Sequence, residues 1–440
     1  MRHKEILTDK IQEYLLYFLI FLLPLQTRWM FVLGTMQGEY WEYGTYSIYA
    51  FDIFLIILLF CYFFISGFKF QLLNFKLRRL WLLIGGLELF IFISIFFAAD
   101  FKLALYGYGR FLLGVGLFFL ITQIEFSKMK LYWALVLSGA IQSIFAMWQF
   151  VAQHVFSNKW LGMAFQSPET LGVSVIETEL RRWLRGYGSL PHPNILGGFL
   201  AIALLVNIIL YFKLWEIGDE KPGNKNKYKI LLSLVFIIIN TVGLALTFSR
   251  AAWLAFTVGF VLLIPWATDK YKKWGAIMIT KIILIIFLTV SMTVAIFNEP
   301  FLARFNLQNR LEQVSVTERL DYNKDAWQVI RKNWLFGTGI KNYGLVVRND
   351  VDNSRGAYEY EPVHNVLLLI WTETGILGLG CFVALLFYCF WKLWQKKNFA
   401  VMSVLAAITM IMFFDHWLWS MAFGIYLFWL AVGLAVKQDF

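Results

Sequence analysis

Long apolar runs constrain this chain more than any other feature of its sequence. About twelve occur, at residues 14–33, 47–68, 80–98, 108–123, 131–155, 194–212, 229–248, 251–266, 276–297, 366–391, 400–414 and 419–436. Most are close to the roughly 20 residues with which a helix crosses a lipid bilayer, and two are shorter. Because backbone polar groups in lipid must be satisfied within the chain, the runs predict membrane-spanning helices. We therefore expect an all-α polytopic membrane protein with about 12 transmembrane helices.

The composition agrees with a membrane protein and excludes an ordinary soluble domain. Hydrophobic residues make up 60% of the 440 residues and charged residues only 15%, against roughly 25% charged residues in soluble domains. The three cysteines lie inside apolar runs, which excludes a disulfide framework and a cysteine metal cluster. The net charge of +11 does not indicate a nucleic-acid partner, since membrane proteins concentrate basic residues on one side.

The sequence predicts a single integral membrane domain over 1–440. No small-residue cleavage site follows the first run, so we expect a retained first span and not a signal peptide. Within the domain we distinguish N-terminal spans (1–155), spans that carry arginine motifs (156–297), a long outer loop (298–365) and C-terminal spans (366–440).

The distribution of lysine and arginine predicts the orientation in the membrane. Short basic segments fall on alternate loops: the N-terminus, FKFQLLNFKLRR, FSKMK, KPGNKNKYK, DKYKK and KLWQKK. Such segments face the cytoplasm in most membrane proteins. Both termini are therefore predicted to be cytoplasmic, and the loops at 152–193, 249–250, 298–365 and 415–416 to face the periplasm or exterior of the cytoplasmic (inner) membrane.

The predicted outer face is rich in arginine, whereas the inner basic residues are mostly lysine. Arginine offers a planar fork of donors that suits phosphate and carboxylate groups. The outer face thus resembles an anion-binding surface, although ion pairs with Glu and Asp of the same loops are an alternative for most of these residues. The outer arginines are Arg110, Arg181, Arg182, Arg185, Arg250, Arg304, Arg310, Arg319, Arg331, Arg348 and Arg355.

The longest polar interval, 298–373, contains a predicted amphipathic helix at 315–334. Ser315 and Glu318 form a capping-box pattern, and apolar residues such as Leu320 and Trp327 recur at helical spacing. With tryptophan on its apolar side, this helix is expected to lie on the outer membrane surface. The GTGIKNYG segment that follows lacks a preceding strand and a Lys-Ser/Thr pair, so we predict a turn and not a nucleotide-binding loop.

Three places on the predicted outer face combine residues suited to chemistry. In RGYGSLPHPNILGG, prolines and glycines favour a non-helical segment before a span. An arginine in TFSRAAW, between two apolar runs, is costly unless it faces a polar cavity or a partner. A histidine begins HNVLLLIWTETG, where it could also simply cap a helix. The candidate residues are Arg185, His192 and Asn194, then Arg250, and then His364, Asn365 and Glu373.

Two arginines and a histidine on one face suit transfer of a group from a lipid-linked pyrophosphate. The arginines would neutralise the pyrophosphate as charge develops on it, and the histidine would accept a proton from the attacking hydroxyl. We expect neither a catalytic metal nor another cofactor, because the outer face shows no convincing set of metal ligands. Glu359 and Glu361 could instead act as the base or hold the imidazole.

These motifs together resemble the O-antigen ligase and O-antigen polymerase superfamily. The resemblance rests on RGYGSLPHPNILGG, TFSRAAW, the TERLDYNKDAWQVI and FGTGIKNYG segments and HNVLLLIWTETGILGLG, in that order along residues 185–380. It implies a membrane-embedded C-type glycosyltransferase that inverts the anomeric centre without metal or nucleotide. The donor would be a glycan on undecaprenyl pyrophosphate, and the acceptor lipid A–core for a ligase or a second lipid-linked glycan for a polymerase. Membrane lipids would surround the protein.

The resemblance also implies roles for individual residues. Arg185 and Arg250 would bind the pyrophosphate and His364 would be the base. Arg319 would be a supporting anion contact or a structural ion pair, while His192 and Asn194 would shape their loop. We favour a ligase over a polymerase because of the large outer loop. A transporter is the alternative class, but internal repeats and charges near the bilayer midplane, which are typical of carriers, are not evident.

Overall fold

A computed structural model describes residues 2–65, 78–220, 224–306 and 310–437, most of which are helical. Parts of two predicted cytoplasmic loops, FKFQLLNFKLRR and KPGNKNKYK, lie outside the described residues. The helices are α1 (Arg2–Leu22), α2 (Ala50–Ile65), α3 (Arg78–Ser94), α4 (Phe101–Gln123), α5 (Lys128–Ala152), α6 (Pro193–Glu220), α7 (Asn224–Leu246), α8 (Arg250–Ile296), α9 (Asn298–Phe305), α10 (Arg310–Asn333), α11 (Tyr343–Asp350), α12 (Val366–Gln395), α13 (Phe399–Met412), α14 (Trp417–Ser420) and α15 (Ala422–Lys437).

The apolar helices confirm a multi-pass membrane protein. Within the described residues, 7 helices are long and apolar enough to cross a bilayer: α3 with its 3-10 extension, α4, α5, α6, α7, α8 and α12. Three more apolar helices, α2, α13 and α15, are shorter. Helix α8 contains two of the predicted runs, with non-helical backbone between them at Lys272. The total of about 12 spans stays a prediction.

Three short two-stranded hairpins accompany the helices in the described residues. Strand β1 (Arg28–Val32) pairs antiparallel with β4 (Tyr46–Tyr49), β2 (Thr35–Met36) with β3 (Glu39–Tyr40), and β5 (Val175–Glu177) with β6 (Arg182–Leu184). The predicted first span, 14–33, was therefore too long, since α1 ends at Leu22. Pro24 cannot continue a helix, and the aromatic and β-branched residues after it favour a strand.

Helix α6 is the central helix of the bundle. The apolar segment of α6 is 100% buried, and the helix packs against α5, α7, α8 and α13. Two glycines near its start allow close packing: a Cβ at Gly197 would lie 2.9 Å from the Cβ of Ala252, and one at Gly198 would lie 2.6 Å from the Trp417 ring. The N-terminal end of α6 is thereby held against α8 and α14.

A kink in α12 receives the turn that joins α10 to α11. Gly375 has φ 72° and ψ −178°, which interrupts the helix and frees backbone carbonyls. The amide of Thr338 donates to the carbonyl of Thr372 at 2.9 Å, and the amide of Gly339 to that of Glu373 at 2.9 Å. The predicted turn at 337–344 is thus observed, and it is fixed to a membrane-spanning helix.

The amphipathic helix in the polar interval is longer than predicted. It begins at Arg310, so Ser315 and Glu318 lie within α10 and do not form an N-terminal capping box. Ala326, Val329 and Ile330 are buried, and α10 packs on α12. Trp327 stays half exposed, and its ring packs edge to face on Trp371 of α12. The interval therefore folds back onto the bundle.

Candidate functional site

A cavity of about 700 Å³, the main cavity, lies beside the N-terminal ends of α6 and α12. Its walls come from segments far apart in the chain: 40–43, 172–195, 304–322, 357–364 and 415–421. Of the predicted site residues, it is lined by Arg185, His192, Asn194, Arg319 and His364. Three others, Arg250, Asn365 and Glu373, are not among its lining residues. The structure thus brings together most of the residues that the sequence singled out.

Arg185 is a buried cation bonded only to neutral groups among the described residues. Its Nε donates to the carbonyl of Thr247 at 2.7 Å, Nη1 to the Ser174 hydroxyl at 2.6 Å and Nη2 to Oδ1 of Asn194 at 2.7 Å. Burial and the charge of Arg304 lower the pKa of the guanidinium. A buried charge without a counter-ion is costly, so this position favours binding of an anion from the cavity.

His192 and Asn194 are hydrogen-bonded to each other where the chain enters α6. Nδ1 of His192 accepts a hydrogen bond from the amide of Asn194 at 3.1 Å, which fixes the first turn of the helix. Burial and the charge of Arg185 lower the pKa of His192 to about 3, so this imidazole is neutral at physiological pH. Asn194 then holds one end of the Arg185 fork. Asn194 thus contacts Arg185 directly, and His192 holds the backbone of Asn194.

Arg250 forms an ion pair instead of facing the main cavity. Its Nη2 lies 2.8 Å from Oε2 of Glu312 on α10, without the alignment of a hydrogen bond. The other oxygen of Glu312 pairs with Arg304, whose Nε donates to the carbonyl of Phe248 at 2.9 Å. Glu312 and Arg304 both line the cavity. Glu312 therefore joins Arg250 to the cavity wall.

Arg319, like Arg182 and Arg185, lines the main cavity without a carboxylate partner among the residues that the structure describes. It lies on α10 and is partly exposed. Among the described residues it makes no ion pair and no hydrogen bond. Of the two roles considered for it, contact with an anion therefore fits its surroundings better than a structural ion pair.

His364 lies between two carboxylates on another part of the cavity wall. Its Nε2 is 3.6 Å from Oε2 of Glu361, and its buried Nδ1 is 3.7 Å from Oδ1 of Asp415. Burial lowers the pKa of His364, but Asp415 and Glu361 more than offset this effect and raise it to about 9. Burial raises the pKa of Asp415, and the adjacent His364 reverses this, so that the carboxyl stays ionised.

His416 connects the cluster around His364 to residues from the N-terminal part of the chain. Its ring centre is 5.0 Å from that of His364. Nδ1 lies 2.7 Å from the Ser420 hydroxyl, and Nε2 lies 3.4 Å from the hydroxyl of Tyr43. Burial and the charge of His364 lower the pKa of His416 to about 4, so it is neutral beside a charged imidazole.

Glu361, His364 and His416 could together hold a metal ion. One ligand atom from each lies within 4.8 Å of the others. Nitrogen and carboxylate ligands of this kind suit Zn²⁺. A metal there would, however, have to displace one hydrogen bond of His416, either that to Ser420 or that to Tyr43, because both ring nitrogens are already engaged.

The remaining predicted site residues have structural contacts. Asn365 is the N-cap of α12 and accepts a hydrogen bond from the amide of Leu368 at 3.1 Å. The buried carboxyl of Glu373 accepts hydrogen bonds from the amide of Lys341 at 2.9 Å and from the Trp419 indole at 2.8 Å. Both residues support the wall of the main cavity without lining it.

Residues 233–383 match the family model described as O-Antigen ligase. This region is similar to the O-antigen ligase family. No curated protein gives a significant match to the chain. The match confirms the resemblance identified from the sequence motifs, and it supports an O-antigen ligase or polymerase function with lipid-linked glycan substrates.

The O-antigen ligase region contributes only part of the main cavity. It contains Arg250, Arg319 and His364, and it ends within α12. Arg185 and Asn194 precede it, and Asp415 follows it. The site thus depends on folding of the O-antigen ligase region against segments on both sides of it.

Three residues of the site were not singled out from the sequence. Arg304 had been noted only as one of many outer arginines, and Asp415 and His416 only as a short loop. A sequence signal existed for the last two: an Asp-His pair between two apolar runs is as unusual in a membrane protein as Arg250. Arg304 lies among several other charges, and nothing in the sequence distinguishes it.

Proposed function

We propose that this protein is an O-antigen ligase-type glycosyltransferase. It would move a glycan from undecaprenyl pyrophosphate to lipid A–core on the outer face of the cytoplasmic membrane. The observation that carries this proposal is the division of charge in the main cavity. Arginines without a carboxylate partner among the described residues line it, together with a histidine that is flanked by carboxylates.

The arginines would bind the pyrophosphate of the donor. Arg185 and Arg319 have no carboxylate partner among the described residues, and charge-assisted contacts to phosphate are stronger than neutral hydrogen bonds. Arg304 would add positive charge beside them. Arg250, predicted from the sequence to contact the pyrophosphate directly, would act through Glu312, which it shares with Arg304.

His364 would accept the proton of the acceptor hydroxyl. Its Nδ1 is buried against Asp415, which leaves Nε2, on the side of Glu361, to meet the hydroxyl. Asp415 would orient the ring and stabilise the imidazolium that forms, the role of the carboxylate in other carboxylate–histidine pairs. Glu361 would help to position the hydroxyl.

The transfer is a single displacement. The acceptor oxygen forms a bond to the anomeric carbon while the bond from that carbon to the pyrophosphate oxygen breaks. The hydroxyl proton passes to His364, and undecaprenyl pyrophosphate leaves with the electron pair of the broken bond. Attack opposite to the leaving group inverts the anomeric centre. The arginines stabilise the negative charge that develops on the leaving group.

The orientation that this reaction requires agrees with the distribution of charge in the sequence. The loops that build the main cavity carry most of the arginines, and the short lysine-rich segments lie on the other loops. With both termini in the cytoplasm, the cavity would face the periplasm or exterior. A lipid-linked donor could then reach it from the outer leaflet.

One assay separates the proposed ligase from its alternatives. Purified protein in lipid nanodiscs is given a glycan on undecaprenyl pyrophosphate, with or without lipid A–core. Product on lipid A–core alone is expected of a ligase. A ladder of longer lipid-linked chains without lipid A–core would show a polymerase, and no glycosyl transfer in either mixture would contradict both and favour transport.

A further inference from the structure

A second cavity, of about 290 Å³, adjoins the main cavity. We call it the Lys341 cavity. The two cavities share Glu42, Tyr43, Pro191 and Met421 as lining residues. Tyr43 contacts His416, whose ring lies beside His364. The Lys341 cavity therefore lies close to His364, the histidine that we propose as the base.

Most of the charge in the Lys341 cavity is already paired. Arg28 forms a two-pronged ion pair with Glu42. Arg110 is 3.2 Å from Asp52, and its Nη2 also donates to the carbonyl of Ser47 at 2.6 Å. These pairs fix the position of both guanidinium groups. They leave little affinity for a further anion at either arginine.

The ammonium of Lys341 is the exception. Among the described residues it makes no hydrogen bond and no ion pair, and it lies 5.7 Å from the centre of the Tyr106 ring. Burial and the charge of Arg110 lower the pKa of Lys341 to about 8, so the group is still mostly charged at neutral pH. A partly buried ammonium without hydrogen bonds to the described residues is costly, and an anion in the cavity would relieve that cost.

The fold holds Lys341 in this position. Its backbone has φ 65°, in the left-handed region that only a few residues other than glycine adopt. The amide donates to Glu373, and the aliphatic stem packs over Gly107 of α4, where a Cβ would lie 3.0 Å from both Cγ and Cδ of Lys341. Strained backbone that the surrounding structure maintains is frequent at ligand-binding positions.

The rest of the lining suits a sugar. Tyr43, Tyr49, Tyr106 and Tyr187 offer flat apolar faces, and internal hydrogen bonds hold their hydroxyl groups in place. The volume lies at the lower end of the range for small-molecule pockets, which is enough for one sugar residue and not for a chain. A cavity of tyrosines with one unpaired cation therefore fits a single anionic sugar.

We propose that the Lys341 cavity binds a sugar of the acceptor that carries a carboxylate or phosphate group, with Lys341 as its cationic contact. This inference rests on the proposed glycosyl transfer. With the donor in the main cavity, an acceptor sugar in the Lys341 cavity would present a hydroxyl near His364. Selection of an anionic acceptor would then reside in the N-terminal part of the chain and Lys341, largely outside the O-antigen ligase region.

Binding of free sugars tests the inference without any transfer reaction. Protein in nanodiscs is titrated calorimetrically with glucuronate, glucose 6-phosphate and glucose. The wild-type protein is expected to bind one or both anionic sugars at least about tenfold more tightly than glucose, since a charged hydrogen bond is worth more than a neutral one. The stronger of the two anionic sugars shows whether a carboxylate or a phosphate is preferred.

Two variants with matched controls locate the effect. Lys341→Gln is expected to abolish the preference for the anionic sugar and leave glucose binding unchanged, whereas Lys324→Gln, at an exposed ion pair with Asp321, changes neither. Gly107→Ala displaces the Lys341 stem and should reduce the preference about tenfold. Gly109→Ala, on the same helix with nothing within 4 Å, should not.

The outcomes separate this inference from the proposed function. Equal affinity for all three sugars, no binding of any of them, or an unchanged preference in Lys341→Gln would overturn it. Each of these results is compatible with glycosyl transfer to a neutral acceptor. Absence of transfer from the lipid-linked donor would instead contradict the proposed function.

Discussion

The carboxylate of Asp415 lies 3.7 Å from the buried Nδ1 of His364, on the opposite side of the ring from Glu361. In the sequence, 50 residues separate His364 from Asp415. The two are in contact because the loop after α13 lies against the start of α12. Two carboxylates around one imidazole make it a stronger base and keep it protonated at neutral pH.

The rate of transfer should therefore depend on pH in a defined direction. A general base must be neutral before it accepts a proton, and with a pKa of about 9 only about a hundredth of His364 is neutral at pH 7. We expect kcat/KM to rise almost tenfold per pH unit up to about pH 8 and to level off near pH 9. A rate that is flat near neutrality and falls above pH 9 would instead identify Glu361 as the base and His364 as a required cation.

Asp415→Asn should shift this pH profile. Loss of the carboxylate removes one of the two groups that raise the pKa of His364, so the plateau moves to lower pH, towards the ordinary value for histidine. The maximal rate of transfer falls as well, because the imidazolium of His364 loses the carboxylate of Asp415. Asp321→Asn, at an exposed position on α10, is the control. An unchanged profile in Asp415→Asn would exclude coupling between the two side chains.

His364→Ala should slow transfer by about 100- to 10,000-fold, the usual contribution of a general base. Binding of the donor should change little, because the arginines of the main cavity remain. Single-turnover transfer and donor binding are measured on the same preparation. Near-normal transfer by the alanine variant would remove His364 from the mechanism.

Asn194→Asp tests Arg185, the arginine that we propose to bind the pyrophosphate. The substitution keeps the shape of the side chain but places a carboxylate 2.7 Å from Nη2 of Arg185, where it competes with the donor. We expect the KM for the donor to rise at least about tenfold, whereas Asn158→Asp, in an exposed turn, has no effect. A normal KM would show that Arg185 serves the fold alone.

Transfer should persist in EDTA. As the base, Nε2 of His364 cannot at the same time bind a metal, yet Glu361, His364 and His416 present a set of possible metal ligands. Added Zn²⁺ should therefore inhibit, and Glu361→Gln should weaken that inhibition. Transfer that EDTA abolishes and Zn²⁺ restores would contradict the proposed mechanism.

The apolar helices could be predicted from the sequence because their signal is local. Bilayer-length runs such as 194–212 coincide with helices, and the break before Arg250 separates α7 from α8 as expected. The errors occurred where short-range patterns were ambiguous. The first predicted run continued past Pro24 into a strand. The Ser315 pattern resembled a helix start, although α10 begins before Ser315.

The site was predictable only in part because its partners are remote in the chain. The cost of burying Arg250 correctly indicated that it needs a partner, but Glu312 lies 62 residues away on another helix, and no periodicity reports that pairing. Arg185 was recognised within a motif, yet its lack of a carboxylate partner became visible only in three dimensions. Asp415 and His364 come together only in the folded protein, and no local sequence pattern predicts their contact.

Gly375→Ala should destabilise the whole protein. A Cβ at this position would lie 2.0 Å from the carbonyl oxygen of Leu335, and φ 72° is unfavourable for alanine. We expect a loss of more than about 1 kcal/mol and a lower melting temperature in detergent. Gly380→Ala, on the same helix with nothing within 4 Å, should melt like the wild-type protein.

Glu373 links the membrane-buried bundle to the Lys341 cavity. It holds the Lys341 amide with one oxygen and the Trp419 indole with the other, so α12, the turn after α10 and the segment before α15 share one anchor. A substitution in lipid-facing layers that moves this anchor would reposition the cation of the Lys341 cavity. Acceptor preference could then drift between related proteins whose cavity residues are identical.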